Sequence, residues 1–179
     1  MIRGVLSAFV LFSVLAETAT AATVEGHAKD AAVVWLSGGA KPDPVQAEMR
    51  NRDRSFIPDL LVVPAGSSVR FPNDDPFDHS IYSDNGPNAF DVGYYGEGPG
   101  KVYQFKDAGI VDVRCHIHAY MHATIVVVDG PFVKTTNSYK FTGIAPGKYV
   151  LHVWNDAAGE RTKNVIVAAD TDDLTVDFP

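Results

Sequence analysis

Helical periodicity is nearly absent from this chain of 179 residues. Short β-branched and aromatic runs are instead separated by Gly, Pro, Asn and Asp, a pattern that dictates an all-β sandwich or barrel. Candidate strands cover 23–28, 32–36, 59–63, 68–71, 79–82, 101–105, 110–115 and 124–129, followed by 138–141, 148–154, 162–168 and 174–178. Pro64-Ala65-Gly66, Asn85-Gly86-Pro87, Gly98-Pro99-Gly100 and Ala145-Pro146-Gly147 read as turns. Only 44–52 has room for a short helix, and Asp53-Arg54 behind it reads as a solvated loop edge. A soft boundary falls at Asp129-Gly130-Pro131. It separates a span long enough for a seven- or eight-stranded sandwich (22–130) from a smaller β segment (131–179). The latter is too short to be trusted alone and is expected to pack on the first.

The N-terminus reads as a targeting segment. Arg3 precedes an apolar run from Val5 to Ala16, broken only by Ser7 and Ser13, and Ala19 and Ala21 form an Ala-x-Ala pattern. Residues 1–21 are therefore expected to be a cleaved secretory signal, with an uncleaved anchor as the alternative. The run is short for a bilayer span and no second one follows. Export implies an oxidising compartment, where a single cysteine is unusual; it is either buried and inert or occupied by metal. The net charge of −7, with no basic cluster, excludes a nucleic-acid binder.

That cysteine opens Cys115-His116-Ile117-His118-Ala119-Tyr120-Met121. A thiolate, an imidazole at +3 and a thioether at +6 are three ligands of a blue-copper site: one Cys sulfur and two His nitrogens in a plane, with a long axial Met. Residues 110–115 alternate as a strand that ends on Cys115, and 123–129 supply the returning strand. The intervening loop then carries His118 and Met121 back over the sulfur. The second imidazole must come from a neighbouring strand, and His79, at the end of Phe71-Pro72-Asn73-Asp74-Asp75-Pro76-Phe77-Asp78-His79-Ser80, is the best candidate. Asn73 and Ser80 are candidates for fixing the ligands from behind. His116 and His122 read as solvent-facing neighbours, and either could bind a metal weakly. His27 and His152 read as packed or surface residues, Trp35 and Trp154 as core, and Tyr120 as a loop cap or part of a partner surface. Cys, two His and Met is a poor zinc set.

FPNDDPFDHS followed by C-x-x-H-x-x-M resembles the cupredoxin family, with a short ligand loop most similar to amicyanin and a longer-looped likeness in plastocyanin. The wider strings VVPAGSSVRFPNDDPFDHSIYS and FKDAGIVDVRCHIHAYMHATIVVVD resemble bacterial plastocyanin-like periplasmic proteins associated with methylamine utilisation. The resemblance spans about residues 56–129 and implies a Greek-key cupredoxin sandwich binding one copper through His79, Cys115, His118 and Met121. It also implies single-electron transfer in the periplasm between redox proteins, such as a c-type cytochrome or a dehydrogenase. Copper tolerance or delivery is the alternative. Amicyanin and plastocyanin carry Asn where this chain has Ser80. The copper enzymes of this fold serve a second copper with histidine beside the cysteine, before it in nitrite reductases and on both sides in multicopper oxidases. Here Arg114 precedes it, only His116 follows, and no enzyme activity is expected. The tail NSYKFTGIAPGKYVLHVWND is similar to carboxypeptidase-regulatory-like β units, which share no single function.

Overall fold

The computed structural model describes residues 21–178; the signal-peptide expectation lies outside them. Among the described residues there is no helix, and so none long and apolar enough to cross a membrane. The strands are β1 (Ala22–His27), β2 (Val33–Ser37), β3 (Gln46–Glu48), β4 (Arg50–Arg52), β5 (Ser55–Ile57), β6 (Leu60–Pro64), β7 (Ser68–Asn73), β8 (His79–Ser83) and β9 (Phe90–Tyr95). They continue as β10 (Gly98–Gln104), β11 (Gly109–Arg114), β12 (His122–Val128), β13 (Phe132–Lys134), β14 (Ser138–Ile144), β15 (Gly147–Asn155), β16 (Gly159–Val167) and β17 (Asp173–Thr175).

They form four sheets stacked in layers. The order β6-β12-β11-β8-β9 faces β10-β7-β4-β5, with β3 beside β7. The connections pass repeatedly between these two sheets, giving the Greek-key sandwich that the cupredoxin resemblance implies. Phe71, Ile81, Phe105, Val111, Val113, Ile125 and Val127 fill the core between them. A second sandwich is made from β14-β1-β17 and β13-β2-β15-β16. Its core holds Val24, Val34, Leu36, Phe141, Leu151, Val153 and Val165.

The two sandwiches share an interface because β12 has no solvent face. Ala123, Ile125 and Val127 point into the first core, whereas Val126 and Val128 meet Val33, Trp35 and Trp154 of the second. This is why 125–128 reads as a continuous apolar run rather than an alternating one. The chain crosses from one unit to the other at Gly130. A Cβ there would fall 1.8 Å from the Leu36 carbonyl oxygen, so only glycine fits.

Three expectations are corrected. The division at residue 130 assigned β1 and β2 to the first sandwich. Their hydrogen-bonded partners are β14, β17, β13 and β15, so the C-terminal strands recruit the N-terminal ones and escape the size limit of a lone tail. The segment 44–52 is not helical. Val69 is paired with Ala47 in parallel and Asn51 with Phe56 in a hairpin, and burial of Met49, Asn51 and Phe56 overrides local helix propensity. Gly98-Pro99-Gly100 is the bulged start of β10 rather than a turn. At Gly100 (φ +72°), a Cβ would sit 1.7 Å from the Phe71 carbonyl oxygen, so the strands close only around a glycine.

Trp154, 6% exposed, seals the contact between the sandwiches. Trp154→Ala should cost about 3–5 kcal/mol, read as a lower urea midpoint for the whole chain. A midpoint equal to wild type would show that the interface adds nothing to stability.

Candidate metal centre

β8, β11 and β12 are neighbours in one sheet, and one end of that sheet is where β11 finishes and β8 and β12 begin. His79 opens β8, Cys115 follows the last residue of β11, and Met121 immediately precedes β12. The topology alone therefore gathers three of the four candidate ligands. The fourth, His118, lies in the connecting loop. That loop is closed by the Met121 N–H, which donates to the His118 carbonyl at 2.9 Å.

Cys115 Sγ lies 3.9 Å from His79 Nδ1 and 3.9 Å from His118 Nδ1. The three donor atoms fall within 4.8 Å of one another, the only such His/Cys/Asp/Glu grouping among the described residues. Sulfur and nitrogen bound in one trigonal plane, at about 2.3 and about 2.05 Å from an ion, would stand ~3.8 Å apart. The observed spacing therefore suits two ligands on one metal. Met121, 2% exposed, shares the core around Cys115. The imidazole planes are tilted by 49° with centroids 4.9 Å apart, and Phe77 packs 5.3 Å from one and 5.7 Å from the other. Thiolate, two imidazoles and a thioether combine soft and borderline donors, the set that suits a single copper ion.

The support behind His79 begins with Asp75, which accepts from His79 Nε2 at 2.8 Å. A carboxylate there fixes the tautomer with the proton on Nε2, leaving Nδ1 free to face the sulfur. Asp75 also accepts from the backbone N–H groups of Asp53 at 2.7 Å and Arg54 at 3.0 Å. Those two residues form the two-residue turn between β4 and β5, both left-handed at φ 53° and 55°. Neither is glycine, so the turn is costly by itself, and the two bonds to Asp75 offset that cost. Burial alone would raise the Asp75 carboxyl. The bonds from Arg54, His79 and Asp53 outweigh it and hold the group below its ordinary value. Asn73 winds the intervening loop. Its Oδ1 accepts from the Asp75 N–H at 3.0 Å and its Nδ2 donates to the Phe77 carbonyl at 2.8 Å.

Ser80 lies behind the sulfur, its Oγ accepting from the His116 N–H at 2.9 Å and standing 4.0 Å from Cys115 Sγ. Of the two residues singled out for support, Ser80 lies against the sulfur, whereas Asn73 bonds to no candidate ligand and acts through Asp75 and the loop it winds. Asp75 and the Asp53-Arg54 turn were missed. The only sequence signal for them is an acidic residue four before His79, and the pattern predicts a short helix over 44–52 and a loop edge at Asp53-Arg54. His116 and His122 turn away from the cluster. His116 stacks on Tyr82 at 3.8 Å and meets Asp91 at 3.2 Å, and His122 Nε2 lies 3.8 Å from Asp112. Burial first, then the neighbouring His79 and Arg54, lower the His118 pKa and favour the neutral imidazole that a metal requires.

No family model and no curated protein matches the chain. Among solved structures it is similar to a Cu-containing nitrite reductase from Thermus scotoductus SA-01, at 29% identity and a TM-score of 0.43, over 53% of this chain. The chain spans 24% of that enzyme's length. It is also similar to a purple cupredoxin from Nitrosopumilus maritimus (20% identity, TM-score 0.40, 46% of this chain and 99% of that one). Amicyanin from Paracoccus versutus gives 18% identity and a TM-score of 0.40, over 53% of this chain and 97% of that one.

The lowered Asp75 pKa gives stability a sign with pH. The contribution of the ionised carboxylate is complete above its ordinary value of 3.8 and is lost as the pH falls through the lower folded value. Asp75→Asn should unfold at lower urea than wild type at about pH 6, with the gap closing towards about pH 2. A gap independent of pH would show that shape rather than charge holds the turn.

Proposed function

We propose that this chain is an exported mononuclear blue-copper protein that carries single electrons between redox proteins. The observation that supports it is one buried, unpaired thiol with two imidazole Nδ1 atoms at 3.9 Å each, backed by a carboxylate and a buried methionine. Copper bound there would supply a one-electron couple. His79, Cys115, His118 and Met121 are the residues that would hold it. The chain's own work is to hold these donors still. His79 is fully buried and pinned through Asp75, Cys115 is buried immediately after the paired strand β11, and Met121 is locked by its turn. Ligands that barely move between oxidation states keep the reorganisation small.

His118 is half-exposed while the other three are buried, so its ring edge is where an electron would pass to a partner. Ile117 and Tyr120, 44% and 68% exposed, flank it as contact area. The partner would be a redox protein, with a c-type cytochrome or a dehydrogenase as the classes to try. Copper tolerance or delivery would use the same ligands. Burial of three of the four disfavours it, because a receiving protein must reach the donors it replaces. An enzyme built on this fold would use the histidine beside Cys115 for a second copper. His116 is instead engaged with Tyr82 and Asp91. The signal-like residues 1–21 support a periplasmic location.

Purified mature protein loaded with Cu(II) should show an intense thiolate-to-copper band and a narrow copper hyperfine splitting by EPR. Cys115→Ser should abolish the band. An ordinary Cu(II) spectrum in wild type would favour copper handling over electron transfer. Met121→Leu should keep the band and raise the reduction potential, because losing a donor destabilises the more electron-poor Cu(II) state more than Cu(I). An unchanged spectrum and potential would show that Met121 is not axial.

A further inference from the structure

The second sandwich carries a side-chain relay that the metal centre does not use. Ser37 Oγ lies 2.8 Å from His152 Nε2, and His152 Nδ1 lies 2.6 Å from Glu160 Oε1. The three residues sit on adjacent strands β2, β15 and β16 and share one sheet face. Ser37 pairs with Val150, two residues before His152, and Glu160 pairs with Trp154, two residues after it. Trp35 stacks on the imidazole, centroids 4.5 Å apart and planes within 9°, which fixes the ring. The carboxylate can only accept, so Nδ1 carries the proton and Nε2 presents a lone pair to the serine. His152 is the ordinary packed histidine of the sequence reading only until its two partners are seen.

Nucleophile, base and orienting carboxylate within hydrogen-bond reach in that order are the geometry of an activated serine. Ser37 is also the last residue of its strand and is half-exposed. The Gly38-Gly39-Ala40 segment that follows leaves the ladder and is exposed, with Gly38 at φ +102°. We propose that Ser37, His152 and Glu160 form a hydrolytic site for small, unhindered carboxylic esters, with main-chain amides of residues 38–40 serving the oxyanion. Ser37 Oγ attacks the carbonyl carbon as its proton passes to His152 Nε2. The C–O bond to the alcohol breaks, and His152 returns the proton to the departing alkoxide. Water then attacks the acyl-serine, giving its proton to His152, and the carboxylic acid leaves as Ser37 regains its hydrogen. Glu160 remains ionised throughout and holds the imidazolium that forms. The open position at the end of a strand gives a long acyl chain little surface to bind, so small esters are the substrates expected.

The test treats full-length mature protein, copper-loaded, with a fluorophosphonate, and locates the adduct by peptide mass spectrometry; p-nitrophenyl acetate hydrolysis is followed in parallel. The expected result is phosphonylation of Ser37 in wild type. Ester turnover should fall at least about tenfold in Ser37→Ala, His152→Gln and Glu160→Gln. Glu160→Gln keeps an acceptor for Nδ1–H and guards against mere misfolding, which the urea midpoint of each variant also reports. An unmodified Ser37, or a Ser37→Ala rate equal to wild type, overturns the proposal. The copper band is untouched by either result, so the outcome is independent of the metal site.

Discussion

Strand β12 is buried on both faces, and the molecule is organised around that fact. Its inward residues close the sandwich that carries the Cys115 cluster, and its outward Val126 and Val128 are the floor on which Trp35 and Trp154 rest. Apolar surface of this kind is stable only when covered. The second sandwich therefore does more than hang from the C-terminus. It covers the back of the strand whose first turn holds Met121. The ligand loop is thus anchored to a strand gripped from two sides, and looseness at one end of β12 would have to be matched by movement in two cores.

The rigidity of His79 has a separate source. Asp75 collects three N–H groups, one from the imidazole and two from the turn of a hairpin in the opposite sheet. It therefore joins the two sheets of the sandwich at the site through charge-assisted bonds, which are shorter and stronger than neutral ones. Removing one of the three donors would leave a buried carboxylate underpaired, so the arrangement holds as a unit. The two left-handed non-glycine residues of the turn persist because their amides are needed there.

Local pattern carried the sequence a long way in places where one residue type answers one demand. The six-residue spacing from Cys115 to Met121, the strand endings on either side and a histidine opening β8 were all readable. Each depends on contacts close in sequence or on a donor set with few alternatives. What stayed hidden depends on pairing across long separations. The pattern predicts a short helix over 44–52 and a loop edge at Asp53-Arg54, because nothing local announces that Arg50–Ile57 closes a hairpin beside β7, some twenty positions on. The placing of β1 and β2 with strands more than a hundred residues later was equally unreadable, since alternation says that a strand has a buried face but not which sheet covers it. Asp75 was visible as an acid near His79, yet its role required the hairpin to be in place.

The burial of the candidate ligands sorts their roles without further information. His79, Cys115 and Met121 are enclosed. His118 combines an inward Nδ1 with a ring that reaches the surface, and Phe77 packs against it from the side under the guanidinium of Arg54, 4.7 Å away. The hairpin that positions Asp75 behind the site therefore also places a fixed positive charge at its mouth. One short element supplies both two of the bonds that hold Asp75 behind the centre and the guanidinium that lies over Phe77. A change at this turn would therefore be felt both at the carboxylate behind His79 and at the aromatic ring packed against the two imidazoles.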